Sequence, residues 1–293
     1  MSIQDFSGKK VAVITASASS GFGHEFARLG AELGMSLVLA DVQAEALQAV
    51  SSRRTRIRQG RVLNQVLDVS DAAQVDALAE ATAKTFGEVH LLFNNAGVGT
   101  AGLIWENSVA DWQWTPVSTS GGVVHGMRAF VPRMLASAKA SPDYQGHVVN
   151  TASMAGLLNP PASGISQSAV VSLSESLHHD LSLVTTQVHC SVLCPFYVPT
   201  GISTSQRGTG PRSGLCGTAY ALPAGRSGSH GQGRPFSGQD QRGRCGPHDL
   251  RGRARVASIS PHTPKALEGV RQRAEDIVAM RNPTDPLAAC AKQ

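Results

Sequence analysis

The chain has 293 residues, of which 41% are hydrophobic and 16% are charged, and its formal net charge at pH 7 is +5. This composition excludes a fibrous or fully disordered protein, and the length allows an α/β domain whose core folds without disulfides. No apolar run reaches the roughly 20 residues that span a bilayer, and the polar segment before Val11 lacks the pattern of a signal peptide. We therefore expect a cytoplasmic protein.

Short apolar runs alternate with segments of helical periodicity through the first two thirds of the chain. The predicted strands are 10–15, 36–40, 62–69, 89–93, 147–150 and 188–193, and the predicted helices are 23–33, 44–51, 71–86 and 168–184. We expect Ser70 to be the N-cap of the third helix. Because the strands are almost continuously apolar, this alternation predicts a parallel sheet with helices on both faces.

The predicted strands end in residues that suit a nucleotide, and ligands of such sheets bind beyond the carboxyl ends of the strands. Residues 15–23 read Thr-Ala-Ser-Ala-Ser-Ser-Gly-Phe-Gly, and such small residues let a backbone approach a pyrophosphate at a helix N-terminus. Close packing alone explains this pattern equally well. Asp41 ends the second strand, where a carboxylate either accepts hydrogen bonds from an adenosine ribose or caps a helix. Asp68-Val69 and Asn94-Asn95-Ala96-Gly97 end the third and fourth strands.

Residues 207–255 differ in composition from the rest of the chain. They include 12 Gly, 9 Arg and 4 Pro but only two acids, Asp240 and Asp249, so their net charge is +7 and that of the remainder is −2. Such a segment buries too little apolar surface to offset its ordering entropy, and we predict that it is irregular or disordered. A nucleic-acid contact is an alternative, since Arg-Gly tracts bind phosphate, although only Tyr220 and Phe236 are interleaved aromatics. A third hypothesis is a compensated pair of frame shifts in the coding sequence.

The cysteines show no paired metal-ligand spacing, and they are odd in number: Cys190, Cys194, Cys216, Cys245 and Cys290. We predict reduced thiols and no metal site. The close pair Cys190 and Cys194 lies in a strand-like apolar stretch, which favours buried packing over metal binding.

Together these motifs resemble the short-chain dehydrogenase/reductase family of nicotinamide-dependent oxidoreductases. The resemblance covers Lys9 to about Ser205, resumes at 261–286, and rests on Asp68-Val69, Asn94-Asn95-Ala96-Gly97, Asn150-Thr151-Ala152-Ser153 and Pro195. It implies a single Rossmann-type domain with a seven-stranded parallel sheet, NAD as cofactor and a small alcohol or carbonyl substrate. It also implies a homodimer or homotetramer formed through long helices at about 108–138 and 166–184.

The resemblance assigns cofactor-binding roles along the strand ends. Asp41 favours NAD over NADP, because a carboxylate repels a 2′-phosphate. Asp68 and Val69 hold the adenine. The remaining residues are Asn94, Ala96 and Gly97 on the adenosine side, Pro195, Val198 and Thr200 at the nicotinamide, and Thr15, Ser17, Ser20, Gly21, Phe22 and Gly23 in the phosphate turn.

The phosphate turn departs from the family pattern Thr-Gly-x-x-x-Gly-x-Gly. Ala16 replaces the first glycine, and one additional residue precedes Gly21. An alanine with positive φ costs about 1 kcal/mol, and an inserted residue displaces the amides that cradle phosphate. We therefore expect weakened cofactor binding.

The catalytic residues of the family are Asn, Ser, Tyr and Lys, and only the Ser is matched, by Ser153. The sequence contains no Tyr-x-x-x-Lys motif. Without gaps, Ser163 and Gln167 take the positions of Tyr and Lys, while an alternative alignment deletes three residues, including the Tyr, before Ser166. Ser118 takes the Asn position. Because no phenol or ammonium is present there, we expect impaired catalysis.

Two tyrosines outside the motif are candidate proton donors, Tyr144 before the fifth strand and Tyr197 after Pro195, although a tyrosine at 197 more commonly forms a pocket wall. The stretch 115–122 is expected to be poor in helix because of Pro116 and two consecutive glycines.

The sequence predicts a Rossmann domain over 1–206, the irregular Gly/Arg-rich segment 207–255 in place of a substrate lid, and a C-terminal part of the domain with a helix over 256–293. The leading functional hypothesis is an NAD-dependent oxidoreductase with impaired catalysis. The alternatives are a non-catalytic cofactor-binding or dimer-scaffold protein, and a nucleic-acid contact through 207–255.

Overall fold

The structure is a computed structural model that describes residues 10–16, 21–53, 62–99, 104–159, 165–196, 198, 200, 202, 257–259 and 264–284. The strands are β1 (Val11–Thr15), β2 (Ser36–Asp41), β3 (Val62–Val66), β4 (Leu91–Asn94), β5 (Gly146–Thr151), β6 (Val188–Cys194) and β7 (Ala257–Ile259). The helices are α1 (Phe22–Glu32), α2 (Ala44–Arg53), α3 (Ala72–Phe86), α4 (Val109–Pro116), α5 (Gly122–Ala140), α6 (Met154–Leu158), α7 (Ile165–Val184) and α8 (Pro264–Val278), and a π turn (Val117–Gly121) joins α4 to α5.

The seven strands form one sheet in the order β3-β2-β1-β4-β5-β6-β7, and all neighbouring strands are parallel. This confirms the predicted parallel sheet, and it confirms the seven strands that the family resemblance implies. The strand order reverses between β1 and β4, which lie side by side at the centre of the sheet. The carboxyl ends of these two strands therefore border the crevice where ligands of this fold bind.

Helices cover both faces of the sheet, as predicted, because alternate side chains of each strand point to opposite sides. On one face Val13 of β1 packs in a cluster with Phe130 of α5, to which α3 and α7 also contribute. On the other face Ile14 packs in a cluster with Phe26 of α1, to which α2 contributes. Among the described residues, no helix combines the length and apolar character that crossing a bilayer requires.

The start of α3 differs by one residue from the prediction. Asp71, rather than Ser70, is the N-cap, and its carboxylate accepts hydrogen bonds from the amides of Ala73 at 2.9 Å and Gln74 at 3.3 Å. Strand β3 ends at Val66, so Asp68-Val69 belongs to the turn before this cap.

The prediction that residues 115–122 are poor in helix is wrong. The π turn carries the helical path from Pro116 into α5, so that it runs from Val109 to Ala140. The hydroxyl of Ser120 donates to the carbonyl of Pro116 at 2.9 Å. Gly122 lets this path approach the turn after β3, since a Cβ there would lie 2.8 Å from Val69 Cγ2. A single π turn therefore accommodates the proline without ending the helix.

Cys190 and Cys194 are free thiols buried in β6, as predicted for this pair. Burial raises the pKa of each thiol to about 12. Both therefore remain protonated at neutral pH and act as small apolar groups rather than as nucleophiles.

Candidate nucleotide site

The side chain of Thr15 joins the carboxyl ends of β1 and β4. Its Oγ1 accepts hydrogen bonds from the amides of Asn95 at 2.9 Å and Ala96 at 3.0 Å, and it donates to the carbonyl of Phe93 at 3.3 Å. Thr15 is only 7% exposed. Its hydroxyl is therefore used within the protein, and its contribution to a nucleotide site is to fix the loop that follows β4.

Asn95 extends this junction to β5. Its Oδ1 accepts from the hydroxyl of Thr151 at 3.1 Å, and its Nδ2 donates to the carbonyl of Thr15 at 3.3 Å. The side chains of Asn95 and Thr151 had no predicted role, although both residues lie in the motifs that carry the resemblance. Their contacts hold the ends of three adjacent strands in one rigid edge.

The turn before α1 is built around glycines. Gly21, the N-cap of α1, has a φ of +83°, and no described side chain caps this end of the helix. A Cβ at Gly23 would lie 2.2 Å from the carbonyl oxygen of Ala16, so only glycine fits there. A Cβ at Gly21 would lie 3.2 Å from Thr200 Cγ2, so two predicted cofactor residues from distant parts of the chain meet here. Phe22 begins α1 and stacks on Phe26, with the ring centroids 6.3 Å apart.

Ala16 has a φ of +50°, a conformation that is unfavourable for alanine. Ser17 and Ser20, which were predicted to bind phosphate, lie outside the described residues. In the part of this turn that the structure describes, the departure from the family's glycine pattern is therefore an alanine held at positive φ.

Replacing Ala16 by glycine should raise the free energy of unfolding by about 0.5–1 kcal/mol, because glycine adopts positive φ without steric cost. Urea unfolding followed by circular dichroism measures the change. Ala27→Gly is the matched control, since Ala27 is buried in the middle of α1 and its replacement should destabilise by a similar amount. A destabilised Ala16→Gly protein would contradict the proposed strain.

The two predicted acidic residues form turns at the adenosine side of the edge. Asp41 is buried at the end of β2, and its Oδ1 accepts from the amide of Gln43 at 3.0 Å. Asp68 is exposed, and its Oδ1 accepts from the amide of Ser70 at 2.9 Å. Each carboxylate thus shapes the loop in which it lies. The carbonyl of Val69 lies 2.9 Å from Nδ1 of His125, which ties the second loop to α5.

Asn94 faces the interior and not the edge where it was predicted to line the adenosine. It is 3% exposed, and its Nδ2 donates to Oδ1 of Asn150 at 2.9 Å. Nδ2 of Asn150 donates to the hydroxyl of Ser174 at 3.0 Å, which donates to the carbonyl of Val170 at 2.7 Å. The Asn94 carboxamide therefore belongs to a buried polar chain that joins β4, β5 and α7.

The loop after β4 keeps Ala96 and Gly97 partly exposed, as a nucleotide-lining role requires. Thr119 of the π turn fixes this loop, since its Oγ1 accepts from the amide of Val98 at 3.2 Å. A Cβ at Gly97 would lie 3.5 Å from Thr119 Cγ2, which is ordinary contact. Thr119 had no predicted role, because the segment that contains it was expected to be poor in helix.

Ser153 and Pro195 lie together at the other end of the edge. Ser153 is the N-cap of α6, and its Oγ accepts from the amide of Ala155 at 3.1 Å and donates to the carbonyl of Pro195 at 3.4 Å. The same carbonyl accepts from the amide of Met154 at 2.9 Å. Beyond Pro195, Val198 is partly exposed. The structure thus brings the predicted catalytic serine to the predicted nicotinamide end.

The residues at the other predicted catalytic positions pack within the protein or lie outside the described residues. Ser118 is buried within the π turn. Gln167 lies in α7, where its backbone packs so tightly on α6 that a Cβ at Gly156 would lie 2.7 Å from the Gln167 carbonyl. Ser163 and Tyr197 lie outside the described residues.

The alternative that Tyr144 donates a proton in the site is wrong. Tyr144 is buried before the amino end of β5, whereas the site lies at the carboxyl ends of the strands. Its hydroxyl donates to the carbonyl of Val89, and burial raises the pKa of the phenol above its usual value. The phenol therefore stays protonated, and it lies near the amino ends of the strands, at the end of the sheet away from the site.

This strand order, a glycine turn between β1 and α1 and polar strand ends define a protein of the Rossmann class, whose members bind dinucleotides where the strand order reverses. Residues 10–209 match the sequence profile of the short chain dehydrogenases. The chain belongs to this family of oxidoreductases.

Individual relatives support the same assignment. The chain is 32% identical over 203 residues to a CLA biosynthesis dehydrogenase/reductase of Lactiplantibacillus plantarum, a match that covers 68% of each chain. It is 32% identical over 188 residues to the probable oxidoreductase EphD of Mycobacterium tuberculosis, of which it spans 30%. Among solved structures, a short chain dehydrogenase/reductase from Burkholderia phymatum in complex with NAD has a TM-score of 0.76 and 42% identity, covering 98% of this chain and 100% of the other.

Proposed function

We propose that this protein binds NAD at the carboxyl edge of its sheet and that its capacity for hydride transfer is reduced. The observation that carries the proposal is the turn at Gly21–Gly23, where a glycine contacts the Ala16 carbonyl and the amino end of α1 lacks a described side-chain cap. Backbone amides at such an end favour a pyrophosphate. The NAD complex of the 42% identical Burkholderia protein supports the choice of nucleotide.

The residues present fit a dinucleotide along this edge. The amides of Gly21 and Phe22 would hold the pyrophosphate, Asp41 would accept hydrogen bonds from the adenosine ribose, and Ser153 with Pro195 would adjoin the nicotinamide. When bound, NAD supplies the group that accepts or donates hydride. We expect the binding to be weaker than in a Thr-Gly-x-x-x-Gly-x-Gly turn, because the additional residue before Gly21 displaces the amides that cradle phosphate. The positive φ of Ala16 belongs to the folded chain itself and lowers its stability instead.

Among the predicted catalytic residues that the structure describes, Ser153 is the one that can contact a substrate oxygen at this edge, while the candidate donor Tyr197 lies outside the described part of the chain. The hydroxyl of Ser153 can donate a hydrogen bond to the oxygen of a small alcohol or carbonyl substrate, because its contact with the Pro195 carbonyl is long, at 3.4 Å. A serine does not exchange a proton at neutral pH, and the Gln167 amide carries no charge that would lower a neighbouring pKa. Loss of general acid–base help reduces turnover by about 10²–10⁴-fold.

Fluorescence titration of the purified protein with NADH should show saturable binding, while oxidation of simple secondary alcohols by NAD should be slow or undetectable. Ser153→Ala should keep saturable NADH binding, because Ser153 adjoins the proposed nicotinamide end and not the turn that would hold the phosphates. Turnover in the ordinary range of about 1–10³ s⁻¹ that disappears in Ser153→Ala would contradict the proposed impairment. Absence of binding at millimolar NADH, in protein shown by circular dichroism to be folded, would contradict the proposed cofactor.

Exposed apolar side chains along α4 and α5 support the proposed self-association, which the oxidoreductase and the alternative of a non-catalytic scaffold have in common. Val109 is 73% exposed, and Trp112, Val117 and Val124 follow along the same helical path with 38–46% exposure. Such a stripe suits a homodimer or homotetramer formed through these helices. Val117→Glu should shift the protein to a smaller species in sedimentation velocity, and an unchanged species would argue against this surface.

The remaining sequence predictions concern 207–255, which lies outside the described residues. Its irregular character, the nucleic-acid alternative and the frame-shift hypothesis stay predictions, as does the cytoplasmic location. We propose that 1–206 and 256–293 form one domain around this segment. The pairing of Ala257–Ile259 with Val192–Cys194 at the edge of the sheet supports this organisation.

A further inference from the structure

The short helix α6 connects the site to the C-terminal helix. Its amino end carries Ser153 and holds Pro195, through the bond between the Met154 amide and the Pro195 carbonyl. A helix of five residues is not stable by itself, so contacts at its two ends determine its position. Whatever fixes the carboxyl end of α6 therefore helps to place Ser153 and Pro195.

Arg273 of α8 is bound at this carboxyl end. Its Nη1 donates to the carbonyl of Leu157 at 3.4 Å. Asn159, the C-cap of α6, satisfies both of its neighbours when its carboxamide oxygen faces the guanidinium and its NH₂ donates to Ser168. In that orientation the oxygen lies 3.0 Å from Nη2 and 3.2 Å from Nε of Arg273, and the nitrogen lies 2.6 Å from Ser168 Oγ. One carboxamide thus joins α6 to both α7 and α8.

Apolar packing places Arg273 at this position. A Cβ at Gly269 would lie 2.8 Å from Leu158 Cδ2, so glycine allows α8 to approach α6 closely. Val270 packs in the same apolar cluster as Met154 and Leu158. Gly269, Val270 and Arg273 lie on one face of α8, because positions separated by three or four residues are neighbours on a helix.

We propose that Arg273 is a positioning residue for the nicotinamide end of the site, acting through Asn159 and α6 on Ser153 and Pro195. The part of its test that measures nucleotide affinity rests on the proposed binding of NAD. Arg273 touches neither the strand ends of β1 and β2 nor the glycine turn in any described contact, so its removal should affect one half of the dinucleotide.

The test compares the affinities of NADH and of ADP-ribose, which lacks the nicotinamide. Arg273→Ala should weaken NADH binding by about fivefold and leave ADP-ribose binding unchanged. Asn159→Gly should have the same effect, because glycine keeps the left-handed φ of +49° and removes only the carboxamide. Arg271→Ala is the matched control, since Arg271 is exposed on the same helix and pairs with Glu268 and Glu275.

Hydrogen exchange tests the same inference without a ligand. In Arg273→Ala the amides of Met154 and Ala155, which bind Pro195 and Ser153, should exchange faster, while those of β1 and β4 should not change. Equal weakening of NADH and ADP-ribose, or unchanged exchange at Met154 and Ala155, would overturn the role of Arg273. If the unmodified protein bound neither nucleotide, the proposed function would fail, and the exchange comparison would still decide whether Arg273 positions α6.

Discussion

Replacing Gly23 by alanine should lower the free energy of unfolding by about 2–3 kcal/mol and abolish saturable NADH binding. The new methyl group would lie 2.2 Å from the Ala16 carbonyl oxygen and 2.8 Å from Asn95 Nδ2. Neither atom can withdraw freely, because Thr15 and Thr151 fix Asn95 and the end of β1. The amino end of α1 must therefore move away from the strand ends, and its amides lose the position that a pyrophosphate requires.

Gly121→Ala is the matched control for this substitution. A Cβ there meets no atom closer than 3.5 Å, and Gly121 already has a helical φ of −62°. Alanine should therefore be neutral or stabilise the protein by up to about 1 kcal/mol. Urea unfolding and NADH titration of the two variants measure both effects, and wild-type affinity in Gly23→Ala would refute the close approach.

Acid should destabilise the protein as the pH falls from 6.5 to about 4, and His147 should account for about 2 kcal/mol of this loss. His147 lies in β5 with its Nε2 2.9 Å from Ser191 Oγ. Burial, assisted by the nearby charge of His189, lowers the pKa of His147 from 6.5 to about 4. The unfolded chain therefore takes up a proton first. The contribution of the neutral imidazole is complete above pH 6.5 and is lost as the pH approaches 4. Partial exposure of the ring reduces the effect below the full value of the shift.

His147→Gln tests this assignment, because a glutamine amide can reach Ser191 but does not titrate. The free energy of unfolding of the variant should depend less on pH between 4 and 6.5 than that of the wild type. Some dependence should persist, since burial also lowers the pKa of His90, whose Nδ1 accepts from the amide of Val11. Parallel curves for wild type and His147→Gln would show that another group is responsible.

The sheet could be predicted from the sequence because each strand and helix carries its own local periodicity. The ends of elements were less predictable, since Ser70 and Asp71 are both good N-caps and only the path of the turn selects Asp71. Pro116 misled the prediction for another reason. A π turn continues the helical path beyond the proline, and the hydroxyl of Ser120 binds the Pro116 carbonyl. Neither feature has a recognisable signal in the sequence.

In the candidate site, too, local features could be predicted, whereas features that depend on distant residues could not. The need for glycine at Gly21 and Gly23 is local and could be predicted from the motif. The inward orientation of Asn94 depends on Asn150, 56 residues further along the chain, and could not. The family resemblance placed Thr200 at the nicotinamide, but only the tertiary structure shows it against Gly21.

The buried chain from Asn94 through Asn150 to Ser174 also governs how β4 and β5 align. Asn94 and Asn150 are direct partners in the parallel pairing. A slip of one residue would turn Asn150 to the opposite face and leave buried carboxamides unpaired, at about 1–3 kcal/mol for each lost partner. The three side chains thus discriminate against misaligned sheets. A variant with apolar residues at all three positions is expected to retain much of its stability but to lose the unique alignment that brings Asn95 and Thr151 together.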